Sequence, residues 1–209
     1  MEELKPSSIK RKRTLISSFF ITVLTGIALG NCVDPIWEIF IKNGFTIGIN
    51  LILPYIFILT TIRFFVGNQI HLANIEEEPN LFNRIWLFDF LFIVLESFII
   101  IFTSKSCSLE ICINTKVDFF FFMILLLSTD VIWIFSQFLL GIIHKRWKRK
   151  KIPWQWALLN TITIILILLI KKNILYCRFE IILLGTIFTI AAIIDVILVD
   201  VYGLLKEEM

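Results

Sequence analysis

Apolar residues gather in six long runs, covering residues 14–32, 44–66, 81–104, 117–143, 154–170 and 180–205, and polar residues collect in the short stretches between them. The hydrocarbon core of a bilayer takes ~20 consecutive, mainly apolar residues per α-helix, so each run reads as one membrane span. The intervening stretches are long enough for turns and loops but not for a soluble domain. The pattern therefore predicts an all-α fold: a polytopic integral membrane bundle of six transmembrane helices. Its expected parts are a cytoplasmic basic tail over 1–13, a transmembrane domain over 14–205 and a cytoplasmic C-terminus over 206–209.

Composition supports the membrane class. Of 209 residues, 58% are apolar and 18% charged, with a mean hydropathy of +0.88, whereas a soluble domain averages about 45–50% apolar and about a quarter charged. Disordered and collagen-like classes are excluded with the soluble one.

Orientation follows from lysine and arginine, which concentrate in cytoplasmic loops. With the N-terminus inside, 14 of the 20 basic residues face the cytoplasm, including the clusters Lys10 to Arg13 and Lys145 to Lys151. An even number of spans returns the C-terminus to the same side, an N-in/C-in arrangement. Two alternatives are a cleaved signal peptide over 14–30, ending on the small residues Ala28 and Gly30, and a merger of the last two spans into one. The proposed setting is the plasma (inner) membrane of a prokaryotic cell.

Cysteines agree with this orientation. Cys32, Cys107, Cys112 and Cys177 all fall at outer span ends or in outer loops, where an oxidising exterior permits pairing. Pairs of Cys107 with Cys112 and of Cys32 with Cys177 are one of three connectivities; four free thiols acting as small apolar residues are the alternative. No zinc-ligand spacing occurs, and the two histidines, His71 and His144, belong to the opposite side, so no metal or other cofactor is expected.

Helices in lipid associate where small residues let backbones approach. Thr22, Gly26 and Gly30 in the first span, and Gly44 and Gly48 in the second, are the expected seams, either between these two spans or in a homo-oligomer. Pro54 falls mid-span in the second run, where a proline removes a backbone donor and tends to kink the helix. Trp37, Trp86, Trp147, Trp154 and Trp156 lie near span ends, as an aromatic belt would.

Chemistry is expected where ionisable groups enter the bilayer, because each costs ~2.5–3.5 kcal/mol at a helix centre. Four carboxylates are the clear cases: Asp89 and Glu96 in the third span, Asp130 in the fourth and Asp195 in the sixth. Asp89 and Glu96 share a helix face by their spacing, as do Asp130 and Gln137. At ~1.5 Å per residue from the cytoplasmic ends, Asp89 lies about 12 Å deep, Asp195 about 15 Å, Asp130 about 20 Å and Asn160 about 9 Å. The expected arrangement is a polar cluster in the inner half, with Asp89 and Asp195 at its core, Arg63 as partial counter-ion and Glu96 standing farther out, alone or facing a water-filled cavity. Three carboxylates cannot all stay charged beside one arginine in a low dielectric, so at least one is expected to hold a proton near neutrality. That is what a proton- or cation-handling carrier or channel requires; neutral, hydrogen-bonded glue between helices is the bland alternative.

The stretch from Arg63 to His71 and on to Glu76, Glu77 and Glu78 reads as the most polar inner connection. His71 there is a candidate general base or pH sensor, although its spacing from Arg63 does not put the two on one helical face. Lys145, Arg146, Lys148, Arg149, Lys150 and Lys151 are expected to meet anionic lipid headgroups, at ~1 kcal/mol per basic residue near the surface. Nucleic acid is a weaker partner, since no folded module would shape its recognition. There is no phosphate-binding glycine loop, nucleophile elbow, paired-histidine motif or potassium-filter sequence, and no inverted repeat. An enzyme is thus not the leading expectation. The readings carried forward are the carrier or channel, a membrane-resident interaction or effector protein such as a defence-system accessory, and a lipid-modifying enzyme.

Overall fold

The structure is a computed structural model that describes residues 6–42, 51–76, 82–106, 115–143, 154–173 and 177–207. It contains six helices: α1 (Pro6–Lys42), α2 (Ile52–Glu76), α3 (Phe82–Lys105), α4 (Thr115–Ile143), α5 (Trp154–Asn173) and α6 (Cys177–Glu207). Among the described residues there is no strand. Each helix holds a stretch long and apolar enough to cross a membrane, the build of a multi-pass membrane protein. Helices suit these runs because lipid offers backbone amides no partner, and only an internally hydrogen-bonded segment satisfies them all. The outward surfaces carry Phe19, Leu91, Ile132, Leu158 and Val196, all exposed, as a lipid-facing surface requires.

One buried cluster joins the end of α1 (Cys32), the start of α2 (Leu53), the end of α3 (Ile100), the start of α4 (Phe119), the end of α5 (Ile170) and the start of α6 (Leu184). The helices therefore alternate in direction. The end of the bundle where α1 begins and α6 finishes is called proximal below, and the other end distal. α2 packs on α3, α3 on α4, α4 on α5, α5 on α6 and α6 back on α2, which closes a ring of five. α1 lies against α2 and α3 and is the least buried of the six spans. Polar clasps hold it at both ends: Trp86 Nε1 donates to Ser17 Oγ at 3.0 Å and Ser18 Oγ to Gln69 Oε1 at 2.9 Å proximally, and Asn31 Nδ2 donates to Ser104 Oγ at 3.2 Å distally.

The interior of the ring has two unlike halves. Distally it is dry, filled by Phe57, Phe119, Phe120, Met123, Leu126 and Phe188, each no more than 1% exposed. Proximally it holds almost every buried charged side chain of the described residues: Asp89, Glu96, Asp130 and Asp195, together with Arg63 and His71. Lys171 snorkels at the distal rim, its ammonium 5.1 Å from the centre of the Phe120 ring.

Several sequence-based expectations change. α1 continues through 33–42, expected to be an outer loop, and passes Pro35 without ending. α2 starts at Ile52, so Pro54 stands in its first turn, where the missing N–H has no intrahelical partner to lose, and no mid-span kink arises. At its other end α2 runs on to Glu76, taking in the first part of the supposed polar connection, whose Glu77 and Glu78 lie outside the described residues; Asn68 and His71 sit in the helix with polar partners inside the ring. α5 and α6 are separate helices packed on each other, which removes the merged five-span alternative. Cys32 is a buried free thiol 3.9 Å from the Ser104 carbonyl and not half of a disulfide, and the side chain of Cys177 lies outside the described residues. Cys107 and Cys112 lie outside the described residues, as do Gly44, Gly48, Trp147, His144 and the basic residues Lys145, Arg146, Lys148, Arg149, Lys150 and Lys151.

The expected seam of the first span does not meet the second span. Thr22, Gly26 and Gly30 face outward, and a Cβ at either glycine would meet nothing within 4 Å; α1 packs through Ser17, Ile21, Ala28 and Cys32 instead. The close approach occurs at Gly185 of α6, where a Cβ would stand 3.0 Å from Ile52 Cγ2 of α2. Thermal unfolding in detergent should show the difference. Gly185→Val is expected to cost about 1–3 kcal/mol by overpacking, whereas Gly26→Ala should leave the midpoint unchanged or raise it, alanine being the better helix former. Equal losses at both positions would contradict this assignment.

Candidate functional site

The inward face of α2 repeats at helical spacing through Thr60, Phe64, Asn68 and His71, with Arg63 beside it. Thr60, Asn68 and His71 are all at least nine-tenths buried. On α4 the same spacing aligns Asp130, Trp133 and Gln137, and on α3 it aligns Asp89 and Glu96. The ring turns these faces together, and two hydrogen-bonded groups result.

The first group links α2, α4, α5 and α6. Arg63 donates through Nε to Asp195 Oδ2 and through Nη2 to Asn160 Oδ1, and Asn160 Nδ2 donates to Asp130 Oδ2. Beside it, Asn68 Nδ2 donates to Glu96 Oε2 at 3.1 Å, and Glu96 and Asp130 stand close enough to repel each other electrostatically. Five helices thus bring three carboxylates and one guanidinium into one buried neighbourhood. Among the described residues, four buried polar side-chain atoms have no partner: Arg63 Nη1, Glu96 Oε1 and Asp195 Oδ1 in this neighbourhood, and Thr60 Oγ1 one turn from Arg63 on α2.

The second group stacks on the first, nearer the proximal end, since Asp89 lies two helical turns from Glu96 and His71 one turn from Asn68. Asp89 is fully buried, and its Oδ1 accepts Trp133 Nε1 and Gln137 Nε2, both at 2.9 Å. His71 Nε2 is 3.3 Å from Asp89 Oδ2, and the imidazole meets the Trp133 ring edge-to-face with centroids 4.4 Å apart. This Asp is held from three sides and links α2, α3 and α4.

Aromatic packing closes the proximal side. Trp156 of α5 crosses the ring to α2 and lies over Gly67, its Cη2 3.2 Å from where a Cβ would be. With Phe88, Phe92 and Trp133 it builds a small apolar layer. Trp156 and Trp86 are therefore turned into the protein, whereas Trp37 and Trp154 remain exposed as belt residues would.

Measured against expectation, Asp195 and Arg63 do meet. Asp89 does not join them but pairs with His71; its place is taken by Asp130, reached through Asn160. Glu96 does not stand alone, since Asn68 holds one of its oxygens. Thr60, Asn68 and Trp133 were missed. The signal for Thr60 and Asn68 is the four-residue spacing along α2, which a span ending at Val66 cuts before Asn68; Trp133 carries no sequence signal beyond its position between Asp130 and Gln137.

Chemically, the site offers acceptors, donors and fixed charge in a buried surround. Among the described residues no three or more His, Cys, Asp or Glu side chains are grouped to hold a metal ion. Compared with known proteins, the chain matches no family model, no curated protein and no solved structure.

Proposed function

We propose that this protein is a small carrier or channel that handles a proton or cation, seated in a prokaryotic inner membrane with the proximal end in the cytoplasm. One observation carries the reading: five helices converge Glu96, Asp130 and Asp195 with Arg63 beneath a dry distal plug of phenylalanines. Buried charge is expensive in a bilayer and is commonly retained where an ion path needs it. A constriction lined by phenylalanine bars ions by excluding water, so the plug is the expected gate of the distal half. The basic residues Lys145, Arg146, Lys148, Arg149, Lys150 and Lys151 fit the same orientation by meeting anionic headgroups of the inner leaflet.

A lipid-modifying enzyme is less well supported, because His71 is buried and engaged with Asp89 rather than open to a substrate at the surface. The test is flux into proteoliposomes under an imposed ion or pH gradient. Glu96→Gln and Asp195→Asn should each lower the rate on the order of 10²-fold, the scale of losing a positioned proton-transfer group. Glu38→Gln, on the exposed distal part of α1, should not. Equal flux in all three would remove the carrier reading, and growth arrest on overexpression that persists in Asp195→Asn would favour the effector reading.

A further inference from the structure

The four unpartnered atoms in and beside the charged group are not a random remainder. Arg63 and Asp195 spend Nε and Oδ2 on each other, which leaves Nη1 and Oδ1, a donor and an acceptor, on the same ion pair. Glu96 spends Oε2 on Asn68 and keeps Oε1. The Thr60 hydroxyl, able to donate or accept, lies one turn from Arg63 on the same helix. Thr60 and Glu96 are more than nine-tenths buried, and the side chains of Arg63 and Asp195 are 7% and 12% exposed.

Leaving such atoms bare costs ~1–3 kcal/mol each. Buried water typically removes that cost by making about three hydrogen bonds to otherwise unsatisfied groups. Water can accept from Arg63 Nη1 and donate to Asp195 Oδ1 or Glu96 Oε1. A metal cation can do only half of this: it takes oxygens, leaves the Nη1 donor bare, and sits in the unscreened field of the guanidinium.

We propose that the ion handled in this bundle is the proton, delivered by water held between Thr60, Arg63, Glu96 and Asp195, and that metal cations are not carried. For ion movement this rests on the carrier reading; for the bound water it does not. Glu96 is the accepting group, because among the described residues its hydrogen-bond partner is a neutral amide whereas Asp195 has a fixed cation. A hydronium at the cluster breaks one O–H bond and becomes water as its proton forms a new O–H bond to Glu96 Oε1; discharge runs the same step in reverse.

The experiment has two arms on the intact chain in bilayers. In the first, proteoliposomes are given proton, sodium or rubidium gradients in turn. Proton flux is expected, with sodium and rubidium no faster than in empty vesicles. Sodium or rubidium flux that falls in Asp195→Asn would overturn the proposal. In the second arm, solid-state NMR follows magnetisation from water to nitrogen-labelled arginine side chains, with Arg63 identified by its loss in Arg63→Lys. Arg63 should receive it several times faster than the backbone amide of Phe57 in the dry half. Equal, slow transfer at both would overturn the water site even if protons flow. Fast transfer to Arg63 without flux of any ion would instead overturn the carrier reading on which the first half rests.

Discussion

Arg63→Met is expected to be the most damaging single substitution in the chain. It deletes the one guanidinium in the charged group and leaves Asp195 Oδ2 and Asn160 Oδ1 without their donors, beside two further carboxylates. Removing one partner of a buried ion pair costs about 3–5 kcal/mol, because the other charge stays behind uncompensated. Neutral polar contacts between membrane helices average only about 0.6 kcal/mol, so the charge and not the hydrogen-bond count dominates. The expected result is aggregation or a strongly lowered midpoint in detergent. The double substitution Arg63→Met with Asp195→Leu should recover most of the loss, since apolar replacements of buried pairs are often neutral. A double variant no better than the single one would mean that Arg63 is held for Asn160 and Asp130 and not for Asp195.

The second large effect is expected at Asp89. Asp89→Leu orphans Trp133 Nε1, Gln137 Nε2 and the facing His71 nitrogen together. Three stranded donors at about 1–3 kcal/mol each would sum higher, but separated helices in lipid recover some partners. A loss of about 2–3 kcal/mol in thermal unfolding is the expected net. Asp89→Asn keeps an oxygen that can accept from both Trp133 and Gln137, and its amide can donate to a neutral His71, so it should cost under about 1 kcal/mol. If the two variants fall equally, the negative charge of Asp89 matters more than its hydrogen bonds. Because Asp89 lies outside the Arg63 group, the pair also separates stability from flux: Asp89→Asn should fold and still conduct.

The sequence was readable where the bilayer alone sets the rule. Six runs of the right length become six helices because no other conformation satisfies the backbone in lipid. It was misread wherever a polar residue had to be judged without its neighbour. Asn68 and His71 look like a loop in isolation; they are helix, with Glu96 and Asp89 opposite them. Gly26 and Gly30 look like a seam, yet the tight contact is made by Gly185, a single glycine without a repeat.

What the chain determines by itself is therefore the number and rough extent of its helices and the identity of its costly side chains. Both are local properties, set by transfer of each segment into hydrocarbon. Which carboxylate meets which partner, and that the ring is polar proximally and dry distally, only the tertiary structure decided. The polar spacing marks which residues share a helix face, but in helices apolar on nearly every side it does not say which neighbour that face meets; the packing of the ring supplies it.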